Sequence, residues 1–220
     1  MTSPAPTGPE SRCRLVLVLP DGGEERVKML ADAMQGGDVA SVIIPQYGLD
    51  DASFQKFVAE VVPLVQAAGA AALVCGDSRV AGREKADGIH IIGNAAALAE
   101  AVEQFAPKLI VGGGNATERH SALEMGDANP DYLFFGKLAG DIKPEPHPKN
   151  LALAEWWAEM VEIPCIVMGG TDADSVLAIA ETGAEFAALS RAVFEHPAGA
   201  AAAVSAVNAL LDEKAPRFED

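Results

Sequence analysis

Residues Ile163 to Phe194 read IPCIVMGGTDADSVLAIAETGAEFAALSRAVF, and the architecture can be built outward from them. Pro164 to Met168 is short and apolar, as a buried strand is, and it stops at Gly169-Gly170, where a backbone can bend sharply or approach another group closely. Thr171 or Asp172 can cap a helix expected from Asp174 to Thr182, on which Val176, Leu177, Ile179 and Ala180 share a face. Gly183 is placed to end that helix in a left-handed conformation, and Phe186 to Leu189 forms a second buried strand. Two parallel strands ending in Gly169-Gly170 and Ser190-Arg191 would set several unpaired amide N–H groups at one rim, which is a cradle for phosphate. A glycine pair can also do no more than join a strand to a helix.

From Arg14 onward, short apolar runs alternate with longer amphipathic segments, eight pairs in all. Besides the two above, strands are expected at Leu15–Leu19, Val39–Pro45, Ala71–Cys75, Gly88–Ile92, Leu109–Val111 and Tyr132–Phe135. Their helices are expected at Glu24–Met34, Asp50–Ala68, Val80–Lys85, Ala95–Phe105, Thr117–Met125, Leu151–Val161 and, at the end, Gly199–Leu211, whose alanine-rich face suits packing on the first helix. Eight right-handed βα units close into a single α/β (β/α)8 TIM barrel. A doubly wound open sheet is the alternative. The barrel is favoured because polar and glycine-rich residues gather after the strands, where a barrel builds its active site. One barrel domain is expected over residues 12–214, with a disordered lead-in at 1–11 and a short tail at 215–220.

Composition narrows the class of partner. Aromatic residues make up only 5% of the 220, which suits a parallel sheet wrapped in small-residue helices better than a β-sandwich. A net charge of −16 opposes binding to nucleic acid or to anionic membrane, so any phosphate must be held locally. Cys13, Cys75 and Cys165 are odd in number and lie in or beside apolar strands, which predicts buried thiols and a reducing, cytoplasmic setting. No cationic, apolar leader and no membrane-length apolar run is present, so neither export nor a membrane span is expected.

At the strand ends the rim would carry Asp21, Gln46, Asp77-Ser78-Arg79, Asn94, and Gly112 to Asn115. The loop Gly136 to Asn150 follows the sixth strand and holds Lys137, Lys143, His147 and Lys149, the most basic stretch of an acidic chain. Its fifteen residues are long for a βα connection, as binding segments and lids often are.

The run Ala86-Asp87-Gly88-Ile89-His90-Ile91, the pair Gln46-Tyr47 after Pro45, the turn Met168-Gly169-Gly170 and the closing Gly183-Ala184 to Ser190 occur in the order found in thiamine phosphate synthases and the related thiazole tautomerases. The chain resembles that family from its first strand to its last helix. The resemblance implies a TIM-barrel transferase that joins hydroxymethylpyrimidine diphosphate to thiazole phosphate, releases pyrophosphate, and uses Mg2+ and basic residues to stabilise the departing group. Carried over, Gln46 would face the diphosphate and Asn115 would stand in the substrate-binding turn after strand five. Gly169, Gly170, Ser190 and Arg191 would hold the thiazole phosphate. Asp77 would be the metal ligand, and Arg79 with Lys143 or Lys149 would be the catalytic cations, the spacing not choosing between the two lysines. Small phosphorylated heterocycles are the implied partners, and a homodimer is an expectation because the family often pairs. The sequence departs from the family's pattern at Tyr47-Gly48-Leu49-Asp50, where basic residues are usual, and at Gly93-Asn94-Ala95, where a second acidic ligand is usual.

The histidines bear on an alternative, because an isomerase needs an acid or base in its pocket. His90 lies within a strand and reads as structural, His120 as a helix surface residue, His147 as a loop residue within reach of a phosphate, and His196 as a surface residue near the last helix. Asp87 reads as a pin at the start of its strand, away from the rim. Three functions follow: the synthase with a divergent diphosphate and metal site, a thiazole tautomerase-like isomerase, and a non-catalytic barrel that binds a phosphorylated ligand.

Overall fold

In the computed structural model, which describes residues 8–22 and 25–218, eight parallel strands close in sequence order into a barrel. They are β1 Arg14–Val18, β2 Ser41–Pro45, β3 Ala71–Cys75, β4 Gly88–Ile92, β5 Ile110–Gly114, β6 Tyr132–Phe135, β7 Cys165–Met168 and β8 Phe186–Leu189. β8 pairs back onto β1 with Val16 opposite Ala188, which closes the ring. The helices are α1 Arg26–Ala33, α2 Asp51–Ala67, α3 Ser78–Arg83, α4 Ala95–Phe105, α5 Arg119–Gly126, α6 Pro148–Met160, α7 Val176–Ala180, α8 Arg191–Phe194 and α9 Ala200–Lys214. The open-sheet alternative is thereby excluded. As expected, α9 packs against α1 and Gly183 takes a left-handed φ of +85° beyond α7.

Alternation along the strands divides the core in two. Leu15, Leu17, Val42, Ile44, Val74, Val111, Leu133, Phe135 and Val167 face outward and are covered by the helices. Val16, Val18, Ile43, Leu73, Tyr132, Phe134, Ile166, Met168 and Ala188 face inward and fill the barrel. The inner face is crowded enough that β4 and β5 supply glycine there, β5 beside the large rings of its neighbour β6. A methyl on Gly112 would overlap the Tyr132 ring, and one on Gly88 would overlap the backbone of Ile110. On the outer face, Trp157 of α6 packs edge-on to Phe135 at 5.8 Å and donates its indole N–H to Ile163 O at 2.7 Å.

Several details differ from the sequence reading. β5 continues through Gly112 to Gly114, residues read as a turn, because the barrel interior needs small residues there. α6 begins at Pro148, with His147 accepting from the Lys149 N–H as its cap, so the loop after β6 is shorter than expected and Lys149 belongs to a helix. The expected turn after β8 is the short helix α8. The first residue of the helix expected from Glu24, and most of the lead-in, lie outside the described residues. Within them, Pro9–Ser11 is a turn of 3-10 helix, and Phe218 N–H donates to Ser11 O at 2.8 Å, so the two ends of the described region meet. All three cysteines are buried and unpaired. Among the described residues no helix is long and apolar enough to cross a membrane.

Candidate functional site

The C-terminal ends of the strands bring Gln46, Tyr47, Asp77, Arg79, Asn115, the loop from Gly136 to His147, Gly169 to Asp172, and Ser190-Arg191 to one rim. On the side of β4 to β6 this rim is hollow. A cavity of about 210 Å3 is lined by His90, Ile92, Gly114, Asn115, Phe134, Gly136, Lys137 and Leu138. His90 forms part of its floor and is only 2% exposed. Its ring stacks on Tyr132 at 5.8 Å and meets Phe134 edge-on at 5.4 Å. Nδ1 lies 2.9 Å from the Tyr132 hydroxyl, while Nε2 has no partner among the described residues and faces the bare Cα of Gly114. Burial without a counter-charge pushes the His90 pKa down to about 4, so the ring is neutral near pH 7.

That displacement predicts a stability profile. The unfolded chain protonates His90 near 6.5 and the folded chain near 4, so between these values the unfolded state binds more protons. The stabilisation from a neutral His90 is complete above pH 6.5 and is lost as pH falls toward 4, reaching roughly 3 kcal/mol by linkage. Urea unfolding from pH 7.5 to 4 should therefore show a shallower acid loss in His90→Asn than in the wild type, and parallel curves would refute it.

On the β7–β8 side the rim is filled by the chain itself. Amides expected to stand unpaired at Gly169, Gly170 and Arg191 are engaged, and the loop after β6 engages Arg191 together with Thr171 and Asp172. Thr171 N–H donates to Lys143 O at 2.7 Å and Asp172 N–H donates to Pro144 O at 3.2 Å. Arg191 N–H donates to Asp141 Oδ2 at 2.7 Å, fifty residues away in sequence. Gly170 N–H donates to Ser175 Oγ at 3.0 Å, and Gly169 N–H to Ala188 O at 2.8 Å. Asp141 is 2% exposed, and burial raises its carboxyl pKa against the lowering effect of the Arg191 amide. Ser190 is also buried. Asp141 escaped the sequence reading because an aspartate in a basic loop carries no local signal of a partner so distant in the chain.

The sequence matches the family described as thiamine monophosphate synthase over residues 15–193. The chain belongs to the thiamine monophosphate synthase family. The thiamine-phosphate synthase of Rhodospirillum centenum is 32% identical over 202 residues, covering 90% of this chain and 98% of that protein. That of Hyphomonas neptunium is 31% identical over 216 residues, with 94% and 97% covered. A solved structure of thiamine phosphate pyrophosphorylase from Pyrococcus furiosus superposes with a TM-score of 0.76 over 93% of this chain and 98% of that one; at 21% identity it shows the shared barrel.

Within this member of the thiamine monophosphate synthase family, the other expected site residues are placed as follows. Gln46 Nε2 donates to Leu49 O at 3.2 Å and to Asp51 Oδ1 at 3.0 Å, so its amide is turned to its own strand-to-helix connection. Tyr47 adopts a left-handed φ of +46° and donates its hydroxyl to Leu19 O. Asn115, also left-handed at +95°, is exposed at the cavity mouth. Lys143 lies beside the β7 turn through its carbonyl, with its side chain exposed, whereas Lys149 stands on the first turn of α6. Of the two lysines read as alternatives, Lys143 has its backbone carbonyl at the β7 turn and Lys149 does not. His120 is exposed on α5, 3.4 Å from Glu124. Asp87 accepts from Ala72 N–H at 2.8 Å at the opposite end of the barrel, the pin the sequence suggested.

The residues at the expected metal position do not make a magnesium seat. Asp77 caps α3 through the Arg79 N–H and is gripped by the Arg79 guanidinium, whose Nε and Nη2 lie 2.9 and 2.6 Å from Oδ2. This ion pair holds the Asp77 carboxyl below its usual range and occupies both the proposed ligand and one proposed catalytic cation. Asn94, at the position of the second expected ligand, caps α4. Among the described residues no group of three or more His, Cys, Asp or Glu side chains is arranged to hold a metal.

Proposed function

We propose that this chain is a thiamine-phosphate synthase-type transferase acting on hydroxymethylpyrimidine diphosphate and thiazole phosphate. The bond from the pyrimidine methylene carbon to the diphosphate oxygen breaks, and pyrophosphate leaves with the electron pair. The thiazole nitrogen donates its lone pair to that carbon, and the new C–N bond leaves a thiazolium cation. The observation that carries this reading is end-to-end identity above 30% with two synthases. The rim supports it: a cavity of about 210 Å3 lined by Phe134 and a neutral His90 suits a planar heterocycle, and the amides after β7 and β8, now held by the chain's own acceptors, are groups that a phosphate can take over. Lys143, beside that turn, is the cation assigned to the charge developing on the departing pyrophosphate.

A second reading is favoured by the Asp77–Arg79 pair, since an isomerase of thiazole phosphate needs neither metal nor diphosphate clamp. Growth separates the two. Expressed in a bacterium lacking its own thiamine-phosphate synthase, this chain should restore growth without thiamine. Failure of the folded, expressed protein to do so would leave the isomerase as the better reading.

A further inference from the structure

We propose that Asp141 is a built-in competitor for the phosphate of the substrate: its carboxylate occupies the anion seat at Arg191 N–H and latches the loop from Gly136 to His147 over the β7 turn. The inference rests on the reading that this rim binds a phosphate monoester. Three donors converge on one short segment of loop, Arg191 on the Asp141 side chain and Thr171 and Asp172 on the carbonyls of Lys143 and Pro144. The closeness is built in, because Gly170 lies under the Pro144 carbonyl with no space for even one methyl, and a methyl there would also stand 2.7 Å from Lys143 O.

A carboxylate and a phosphate are interchangeable as acceptors of a backbone N–H, but they cannot share it. Two anions within hydrogen-bond distance of one amide, in a spot only 2% exposed, repel strongly. Entry of the phosphate must therefore release Asp141, and with it the two carbonyl contacts that hold Lys143 against the turn. The apparent affinity for the phosphate ester is lowered by the fraction of molecules that are latched. The ester would then trade an internal anion for an external one, leaving Lys143 mobile at the moment its charge is needed.

The test compares wild type, Asp141→Asn and Asp141→Ala by hydrogen exchange and by calorimetric titration with thiazole phosphate and with the unphosphorylated thiazole alcohol. Asp141→Ala, which removes the acceptor, should raise exchange at the Thr171, Asp172 and Arg191 amides about tenfold while barrel amides stay protected, and Asp141→Asn, which keeps a neutral and weaker acceptor, should raise it by less. They should tighten binding of the phosphate ester about fivefold and leave the alcohol unchanged. Asn keeps the shape of Asp141, so it carries the test should the Ala variant not fold. Unchanged exchange at Thr171 and Asp172, or weaker binding of the ester in both variants, overturns the latch. Faster exchange with no binding of the ester to any of the three proteins upholds the latch and removes the phosphate reading instead.

Discussion

Gly170→Ala is expected to cut transferase turnover about 100-fold, the scale of loss that follows when a positioned group moves by an ångström. The residue does not need to be glycine for its backbone angles, which any residue can adopt. Space alone forbids a side chain, since the added methyl would run into the Pro144 carbonyl and crowd Lys143 O. Backbone cannot swing aside as a side chain can, so the loop must lift. The latch opens transiently for the ester and can close again, whereas a methyl at Gly170 keeps the loop lifted, without its Thr171–Lys143 and Asp172–Pro144 hydrogen bonds, and so holds Lys143 off the turn throughout the cycle. Strain of this kind costs about 1–3 kcal/mol, so the barrel should remain folded while its rim is altered. Kinetics together with a melting curve checks this. Near-normal turnover would show that the loop's contact with the turn has no part in the chemistry.

Gly112→Ala should have the larger effect on stability, about 3 kcal/mol or more, because overpacking in a filled barrel has nowhere to relax. Gly112 faces inward on β5 and pairs with Tyr132 of β6, whose ring a methyl would overlap. The Tyr132 ring in turn stacks on His90 and holds its Nδ1, so the disturbance passes directly to the cavity floor. The same substitution made in a Tyr132→Ala background should cost far less, with an interaction energy of at least about 1 kcal/mol by denaturant unfolding. Additive losses would mean that the methyl is resisted by something other than this ring.

These two glycines also show what was legible in the sequence. Gly169-Gly170 was read as a place of close approach, and it is one, but the approaching group is the chain's own loop. The family resemblance sets a glycine turn after strand five, and that reading puts Gly112 to Gly114 in a turn. Only the neighbouring strand, with Tyr132 and Phe134 pointing inward, explains them as strand residues. Where periodicity and capping were local, the reading was sharp: β3, β4, β6, β8 and α4 have the limits expected for them. The start of α6 was missed although Pro148 follows a capping His147, a signal obscured by two further prolines in the loop. At the site the lesson is similar. The strand ends placed Gln46, Asp77, Asn115 and Ser190 at one rim, since a barrel fixes where such residues gather. The hydrogen-bond partners of Gln46, Asp77 and Arg191, which are Asp51, Arg79 and Asp141, depend on how side chains turn and how a loop folds back, which no spacing encodes.

The most direct measurement is turnover by the purified protein supplied with hydroxymethylpyrimidine diphosphate and thiazole phosphate, with thiamine phosphate and pyrophosphate followed together in wild type, Lys143→Ala and Lys149→Ala. Equal amounts of the two products are expected, with kcat/KM lowered about 100-fold in Lys143→Ala and within a few-fold of wild type in Lys149→Ala, as befits one cation at the developing charge and one on a helix beyond it. Absence of both products from folded protein that binds thiazole phosphate would contradict the transferase, and loss confined to Lys149→Ala would contradict the site as built here around Lys143.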